Sequence, residues 1–529
     1  MYYKDLREHI AALESNGKLV KISDEINLDT ELMPLVRWQF RGLAEAERKA
    51  FLFEKVVDSK NKRYDMPVLV ASHAASREIY AIGMQCRPEE IMERWAIAQR
   101  TLIEPIMVGS GPVQEEIHMG DKLLEHGGLG EFPVPISTPG FDNAPYLTCA
   151  NWVSKDVETG VRNIGNYRAM IKSPTRTGVC CLGSQHLHVH WQLCREKGIP
   201  LEAAIVIGAS PNIGFVGVSK IPYGTDEYAV AGGIAGEPVQ LVKCRTVDIE
   251  VPATAEIVIE GRFPTDSRER EAPFGEFTGY MGAEELSPYF EITCFSHRKG
   301  AIYNAFLSQF PPSESSKIRQ IGYEAVYTRF LKHQCNIPGV MDVVFFESGG
   351  SATYCVIRLK NTHPSHPWLA LNAAASFEAA YPKFIVAVDE DIDSRDADAV
   401  NWAMGFRVQA HRDTKIYQGK TSLLDPSTAP PDAPMHERIY PSPGGASALL
   451  IDATRKWAYP PVSLPRKDFM ERARQIWERI GLPPLKPKAP WHGYSLGYWT
   501  EENQAEAELA LQREHYQTGE KLAKLRIKS

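Results

Sequence analysis

Glu269-Arg270-Glu271-Ala272-Pro273-Phe274-Gly275-Glu276-Phe277-Thr278-Gly279-Tyr280 is the stretch on which the reading of this chain turns. It sets three carboxylates, one proline and two glycines between two strand-like runs. Proline lacks an amide donor and glycine admits backbone angles closed to other residues, so neither a helix nor a regular strand continues through it. A tight loop is expected, presenting Glu271 and Glu276 at a fixed separation. Taken alone, the segment also fits an acidic turn in water, the ordinary fate of charged loop residues.

Working outward, short strand-like runs surround the loop at residues 203–208, 239–244, 247–251, 256–262, 289–297 and 301–307. Residues 146–154 and 160–172 read as a hairpin across Glu158-Thr159-Gly160. Two helices interrupt them, near 185–196 and 226–234. Many short strands with turn signals indicate a barrel or sandwich. Before this region the pattern alternates. Leu6, Ile10 and Leu13 line a helix over 4–15 that Asn16-Gly17 stops. A strand over 19–22 follows, then a helix to about residue 40 that Asp29 or Thr30 can cap. Strands over 51–57 and 67–71 and a helix over 88–102, begun by Pro88, complete an α/β domain. The proline-rich stretch 132–140 marks a boundary or an arm.

After the β-rich region comes a long helix over 315–333. Strands over 340–346, 352–358 and 384–388 and a helix over 368–380 form a second α/β unit with a covered sheet. Residues 421–446 read as a long loop, 466–480 as a helix, 482–487 as a stiff spacer and 501–525 as one charged terminal helix. The expected division is 1–115, an N-terminal α/β domain; 116–312, the β-rich domain; and 313–529, a linker helix, a C-terminal α/β domain and a tail helix.

Composition narrows the function classes. A chain of 529 residues exceeds one hydrophobic core. The net charge of -7 argues against general nucleic-acid binding. No apolar run is long enough to span a bilayer, and Met1-Tyr2-Tyr3-Lys4-Asp5 opens no secretion signal. The nine cysteines are scattered without a CxxC pair, as expected of reduced thiols in a cytoplasmic protein.

Three further segments bear chemistry. Asn163-Ile164-Gly165-Asn166-Tyr167-Arg168 offers a neutral oxygen ligand and a fixed cation, or else a polar strand edge. In Gln185-His186-Leu187-His188-Val189-His190 the three histidines share a face on a strand, whereas on a helix only His186 and His190 are neighbours. Thr225-Asp226-Glu227-Tyr228 reads as a capped helix start whose acids offset the dipole. Combined, Asn, His and Glu form a mixed oxygen/nitrogen set that suits Mn²⁺, Fe²⁺ or Mg²⁺ bridging a phosphate better than structural Zn²⁺. Neither a GxGxxG nor a GxxxxGK[ST] loop accompanies them.

In this order and spacing the motifs resemble the UbiD family of reversible, prenylated-FMN-dependent decarboxylases over most of residues 1–460. Ile221-Pro222, Ala231-Gly232, Arg395-Asp396 and Ile451-Asp452-Ala453-Thr454 strengthen the match. The resemblance implies an N-terminal α/β domain, a central split β-barrel that binds the flavin, and a C-terminal α/β oligomerisation domain. It implies that Asn163, His186 and Glu227 ligate a divalent metal (Mn²⁺, Fe²⁺ or Mg²⁺) bridging the cofactor phosphate. Glu227 and the backbone carbonyls of residues 216–219 would hold K⁺. Gly165, Asn166, Tyr167, Arg168, Gln185 and Ser219 would line the prenylated-FMN site. Arg168, Glu271 and Glu276 would form the catalytic network, with Arg168 orienting the leaving carboxylate, Glu271 fixing Arg168 and Glu276 delivering the proton. His188 and His190 match no family ligand. A lysine that in relatives reaches the phosphate is replaced here by Ala448, with Lys220 or Arg455 as candidate substitutes.

The chain length and the tail aromatics Trp491, Tyr494, Tyr498 and Trp499 resemble the phthaloyl-CoA decarboxylase branch, whose product would be benzoyl-CoA. The rival within the family is a decarboxylase of a free phenolic, polycyclic or heteroaromatic acid. From other classes, a metal-dependent hydrolase would need His188 and His190 as ligands, and a non-catalytic flavin-binding subunit of a carboxylase complex would not need the full Arg168, Glu271 and Glu276 set. The implied partners are the aromatic acid or acyl-CoA substrate, a flavin prenyltransferase that supplies the cofactor, and further copies of the chain in a homodimer or a hexamer. No nucleic acid or membrane partner is implied.

Overall fold

Three large sheets follow one another along the chain, and the way the second closes decides where the site lies. The computed structural model describes residues 1–529 except 182, 184, 272, 422–423, 431, 487–496 and 528–529. In the first sheet Leu19–Asn27 runs parallel to Ala50–Val57, which pairs antiparallel with Val68–Val70. Tyr303–Ala305 returns from far along the chain to pair with Val68–Val70. The first helix, Leu6–Ser15, buries Leu6, Ile10 and Leu13 as its spacing requires, under an Asp5 cap. Three details differ from the pattern reading. The helix Leu32–Gly42 follows Glu31 without a side-chain cap, because the Oδ1 of Asn27 takes the amides of Asp29 and Thr30. The run after Pro88 begins as a 3₁₀ turn, Pro88–Glu90, and continues as the helix Ile91–Ala98. An additional helix, Arg77–Gly83, is capped by Ser76.

The second sheet has nine strands. Its antiparallel order runs Tyr146–Leu147, Ala169–Ser173, Arg176–Gly178, Tyr289–His297, Ile257–Phe263, Leu201–Ile207, Asn151–Lys155, Arg162–Asn166, with Glu116–Met119 on the side of Tyr289–His297. The expected hairpin forms, pairing Asn151 with Asn166 and Lys155 with Arg162, but both of its long runs are broken. Connectivity forces the sheet to curl. Arg162–Asn166 stands at one end of the order and Ala169–Ser173 beside the other, with only Tyr167 and Arg168 between them. So short a link reaches about 11 Å at most, so the two ends meet in a split barrel. Arg168 lies in the split.

Both faces of this sheet are covered. Along Leu201–Ile207, Ala203, Ile205 and Ile207 enter one core with Trp152, Phe263 and Phe290, while Ala204 and Val206 enter another with Tyr80, Phe215 and Tyr228. That explains runs of continuous apolar residues where a one-sided sheet would alternate. A third helix, Pro211–Val218, joins the two anticipated ones, His186–Glu196 and Glu227–Ala235. It is apolar on every side and buried from Pro211 through Val216, so it carries no amphipathic period. The proline-rich stretch packs on the chain's own first core through Phe132 and Val134.

The helix Glu314–Arg329 leads into the third sheet, ordered Val340–Phe345, Tyr354–Leu359, Phe384–Asp389, Ala446–Ala453, Thr414–Lys420. Its three middle strands are parallel and its outer pairs antiparallel. The expected single tail helix is two, Glu501–Leu511 and Tyr516–Lys524. Arg513 breaks the path at φ 65°, and the second helix folds back so that Lys521 meets Glu506 at 2.8 Å. No helix among the described residues is long and apolar enough to cross a membrane.

Candidate active site

Residues 269–287 form a hairpin at the mouth of the split. Glu269–Glu271 pairs with Glu285–Ser287, so the first acids of the quoted stretch stand on a short strand. The loop is then tied to itself: Glu276 donates its amide to the Tyr280 carbonyl at 2.8 Å and Gly279 to the Glu276 carbonyl at 2.9 Å. Gly279 has φ 91°, and a Cβ there would lie 2.8 Å from the Phe310 ring, so both backbone and space require glycine.

This hairpin delivers two carboxylates to one guanidinium. Nε of Arg168 donates to Oε1 of Glu271 at 3.2 Å, and Nη1 of Arg168 contacts Oε1 of Glu276. The face of the guanidinium lies 5.3 Å from the Phe274 ring centroid. The side chains of Arg168 and Glu276 are 12% and 11% exposed and that of Glu271 is 1%, so the triad is nearly dry. Burial pushes the Glu271 carboxyl above its ordinary value, an effect that Arg168 and then Lys172 oppose. Glu276 lines a cavity of about 400 Å³, whereas Glu271 stands behind Arg168, off the cavity wall.

The same cavity is lined by Asn163, Gly165, Asn166, Tyr167, Arg168, Gln185, His186, Ser219 and Glu227, so the separate sequence segments converge. Two helices begin on it, with His186 and Glu227 as their first residues, so both aim positive dipole ends at an anion, although the Asp226 cap of the second already takes the Tyr228 amide at 2.9 Å. The helix Pro211–Val218 ends on it, with Gly217, Val218 and Ser219 in its wall. Nδ1 of His186 lies 3.0 Å from Oδ1 of Asn163 and 3.9 Å from Oε1 of Glu227. Glu227 is 2% exposed, accepts the Ile164 amide at 2.9 Å, and burial lifts its pKa to about 8. Burial and Lys220 hold His186 below its ordinary value, in the neutral form that ligates metals. Oδ1 of Asn166 and Nδ2 of Asn163 are buried without a hydrogen-bond partner. Gly165 is held to glycine by Tyr167, whose ring would sit 2.3 Å from an added Cβ.

His188 and His190 are not part of this set. The segment is a helix, on which His188 bonds Gln192 at 2.9 Å and His190 bonds Ser154 at 2.9 Å. The three histidines therefore form no common ligand set, which removes the hydrolase reading. Ala448 is buried in the third sheet away from the cavity. Of its two candidate substitutes, Lys220 lines the cavity and pairs with Glu378 at 3.3 Å, while Arg455 is engaged by Asp389 at a different cavity. Pattern reading missed the wall supplied from the linker helix and third domain: Arg319, Tyr323, Glu378 and Tyr381. Arg319 stacks 4.1 Å over Phe277 and keeps a buried Nη1 without a hydrogen-bond partner. Nothing local marks these residues, since they reach the cavity only through domain packing. Of the tail aromatics, Trp491 and Tyr494 lie outside the described residues, Tyr498 and Trp499 are exposed, and Tyr498 lines the second cavity, of about 500 Å³.

The chain matches three UbiD family models of 3-octaprenyl-4-hydroxybenzoate carboxy-lyase: the N-terminal domain over residues 10–98, the Rift-related domain over 106–310 and the C-terminal domain over 318–453. An uncharacterized protein of Aquifex aeolicus is 29% identical over 521 residues, covering 91% of this chain and 99% of that one. Among solved structures, the UbiD-class enzyme HmfF from Pelotomaculum thermopropionicum, an evolved dimeric form in complex with prFMN, is 30% identical with a TM-score of 0.73, over 88% of this chain and 97% of that one. The vanillic acid decarboxylase of Sedimentibacter hydroxybenzoicus in its closed form is 25% identical with a TM-score of 0.77, over 91% and 100%.

Proposed function

We propose, since the chain belongs to the UbiD family of carboxy-lyases, that it removes CO₂ reversibly from an aromatic carboxylic acid, or from its CoA thioester, with prenylated FMN. The observation that carries this reading is Arg168 held between Glu271 and Glu276 at the wall of a cavity that Asn163, His186 and Glu227 also line.

The residues present fit such a cofactor. Asn163, His186 and Glu227 would hold Mn²⁺, Fe²⁺ or Mg²⁺ against its phosphate, and the unpartnered Nδ2 of Asn163 and Oδ1 of Asn166 are buried polar atoms awaiting a ligand. Lys220 and Arg319 stand where they can replace the cation that Ala448 does not supply. K⁺ would sit between Glu227 and the carbonyls that close the helix Pro211–Val218. When bound, prenylated FMN supplies the electron sink that an aromatic carbanion needs and that side chains do not offer. Arg168 orients the substrate carboxylate, and Glu271, gripping Nε from behind, keeps that orientation fixed. Glu276 delivers the proton that replaces CO₂. Phe274, Phe277, Phe306 and Tyr323 line the same cavity and keep water from competing for that site.

A flavin prenyltransferase would supply the cofactor, and the chain would act as a homodimer or hexamer. The proposed substrate is phthaloyl-CoA, yielding benzoyl-CoA. The second reading, a free phenolic, polycyclic or heteroaromatic acid, draws support from the vanillic acid decarboxylase relative and from a tail that lines a separate cavity. A panel of both substrate types separates them. The chemistry itself is tested by Glu276→Gln in protein produced with the prenyltransferase: ring-proton exchange of the product falls by about 100-fold or more with flavin content unchanged. Exchange at the parent rate with cofactor fully bound would overturn the assignment.

A further inference from the structure

We propose that His118, His297 and Glu131, with His126 and Glu125 at the rim, form a second metal site that takes Zn²⁺ and clamps the 120–131 segment to the barrel sheet. It shares no residue with the cavity described above.

The site is built by strand register. Glu116–Met119 pairs antiparallel with Tyr289–His297 so that His118 faces Phe295, which puts His297 diagonally across from His118 on one face of the sheet. Their ring centroids are 5.6 Å apart. The chain then loops back. Gly127 and Gly128 take φ values of 87° and 61°, and the Leu129 amide is fixed on the Pro174 carbonyl at 2.8 Å. A Cβ on Gly128 would lie 2.3 Å from that same carbonyl oxygen, so the bend needs glycine. This return sets His126 with its ring 4.6 Å from that of His118, and brings Glu131 to 3.2 Å from Nε2 of His297.

The donor atoms form two sets that share His118, one with Glu131 and His297 and one with Glu125 and His126, each within 4.8 Å. Two further observations point to a ligand. His118 and His297 are each only 6% exposed, and Nδ1 of His118 has no hydrogen-bond partner, while Nε2 of His297 faces the Glu131 carboxylate. Nδ1 of His118 instead lies 3.9 Å from a Glu125 carboxylate oxygen. Nδ1 of His297 lies 2.9 Å from the Arg298 carbonyl, the outer contact that fixes a ligating histidine's tautomer and frees Nε2 for a metal. Imidazoles with one or two carboxylates are a borderline nitrogen/oxygen set that suits Zn²⁺ rather than Ca²⁺ or Mg²⁺. Glu125 and His126 are exposed, so an ion has access.

Zn²⁺ itself is the probe. The full-length Asn163→Ala protein, from which the flavin-side metal is removed, is stripped with a chelator and titrated with Zn²⁺ against a chromophoric competitor. One tight equivalent is expected, together with protection of the 120–131 segment from protease. His297→Gln should weaken it by about 100-fold, and the exposed variants His126→Ala and Glu125→Gln by about 10-fold; the same three substitutions made with Asn163 intact should leave flavin content unchanged. Absence of a tight equivalent, or equal affinity in His297→Gln and parent, would leave only a histidine–carboxylate ion pair and overturn the proposal. Should His297→Gln not fold, the two rim variants decide: unchanged affinity in both overturns it as well.

Discussion

Replacing Arg168 with lysine tests whether one cation must serve two carboxylates. The guanidinium reaches Glu271 through Nε and Glu276 through Nη1, and a single ammonium cannot do both. A charge pair at 3.2 Å in a medium of effective dielectric about 20 interacts by ~5 kcal/mol. Lysine keeps one such contact. The other carboxylate stays buried without its cation, which costs about 3 kcal/mol. The pH dependence has a definite sign. Burial already raises the Glu271 carboxyl above 4.5, and Arg168 is the main opposing influence. In Arg168→Lys its folded value rises further, so the stability of the protonated form is complete below 4.5 and is lost as pH climbs through the folded value. The deficit relative to parent should therefore grow between about pH 5 and pH 8, as read by chemical denaturation at both ends. Steady-state kinetics should show kcat down by about 100-fold, since the substrate carboxylate loses its fixed partner, with flavin retained. A variant with kcat within threefold of parent and a stability deficit independent of pH would refute the bridging role.

Asn163→Ala and His186→Ala should each lose divalent metal and most flavin together, measured by elemental analysis and absorbance; unchanged content in either would sink the shared-ligand reading. Gly165→Ala should cost about 1–3 kcal/mol and reduce flavin retention by displacing Tyr167, whose ring would lie 2.3 Å from the new Cβ. His9 and His73 are buried and held neutral, their pKa values lowered to about 3 by burial. Because the unfolded chain binds those protons below about pH 6.5, stability is lost as pH falls, by about 3 kcal/mol for the pair at pH 5.5. His9→Phe should remove about half of that acid loss in denaturation curves, and an unaltered slope would count against it.

Much of the site could be read without coordinates, because its ligands come as short local motifs. Asn163 to Arg168, His186, Glu227 and the 269–280 hairpin each carry residue types that ordinary strands and helix starts do not need, and their order along the chain is enough to relate them. Strands and helices with clear periodicity were equally legible, from the helix Leu6–Ser15 to the strand Phe384–Asp389. What failed had no periodicity to show: the helix Pro211–Val218 is buried all round, and the break at Arg513 depends on one left-handed residue in a charged run. Only the tertiary structure showed that Tyr167 and Arg168 bridge the two ends of a curled sheet, that Glu276 reaches the cavity wall while Glu271 stands behind Arg168, and that Arg319 and Tyr381 complete the cavity from another domain. Local motifs report which groups a chain carries, because composition and spacing are local. Which of them face one another is set by strand register and domain packing, and those arise from contacts between residues far apart in the chain.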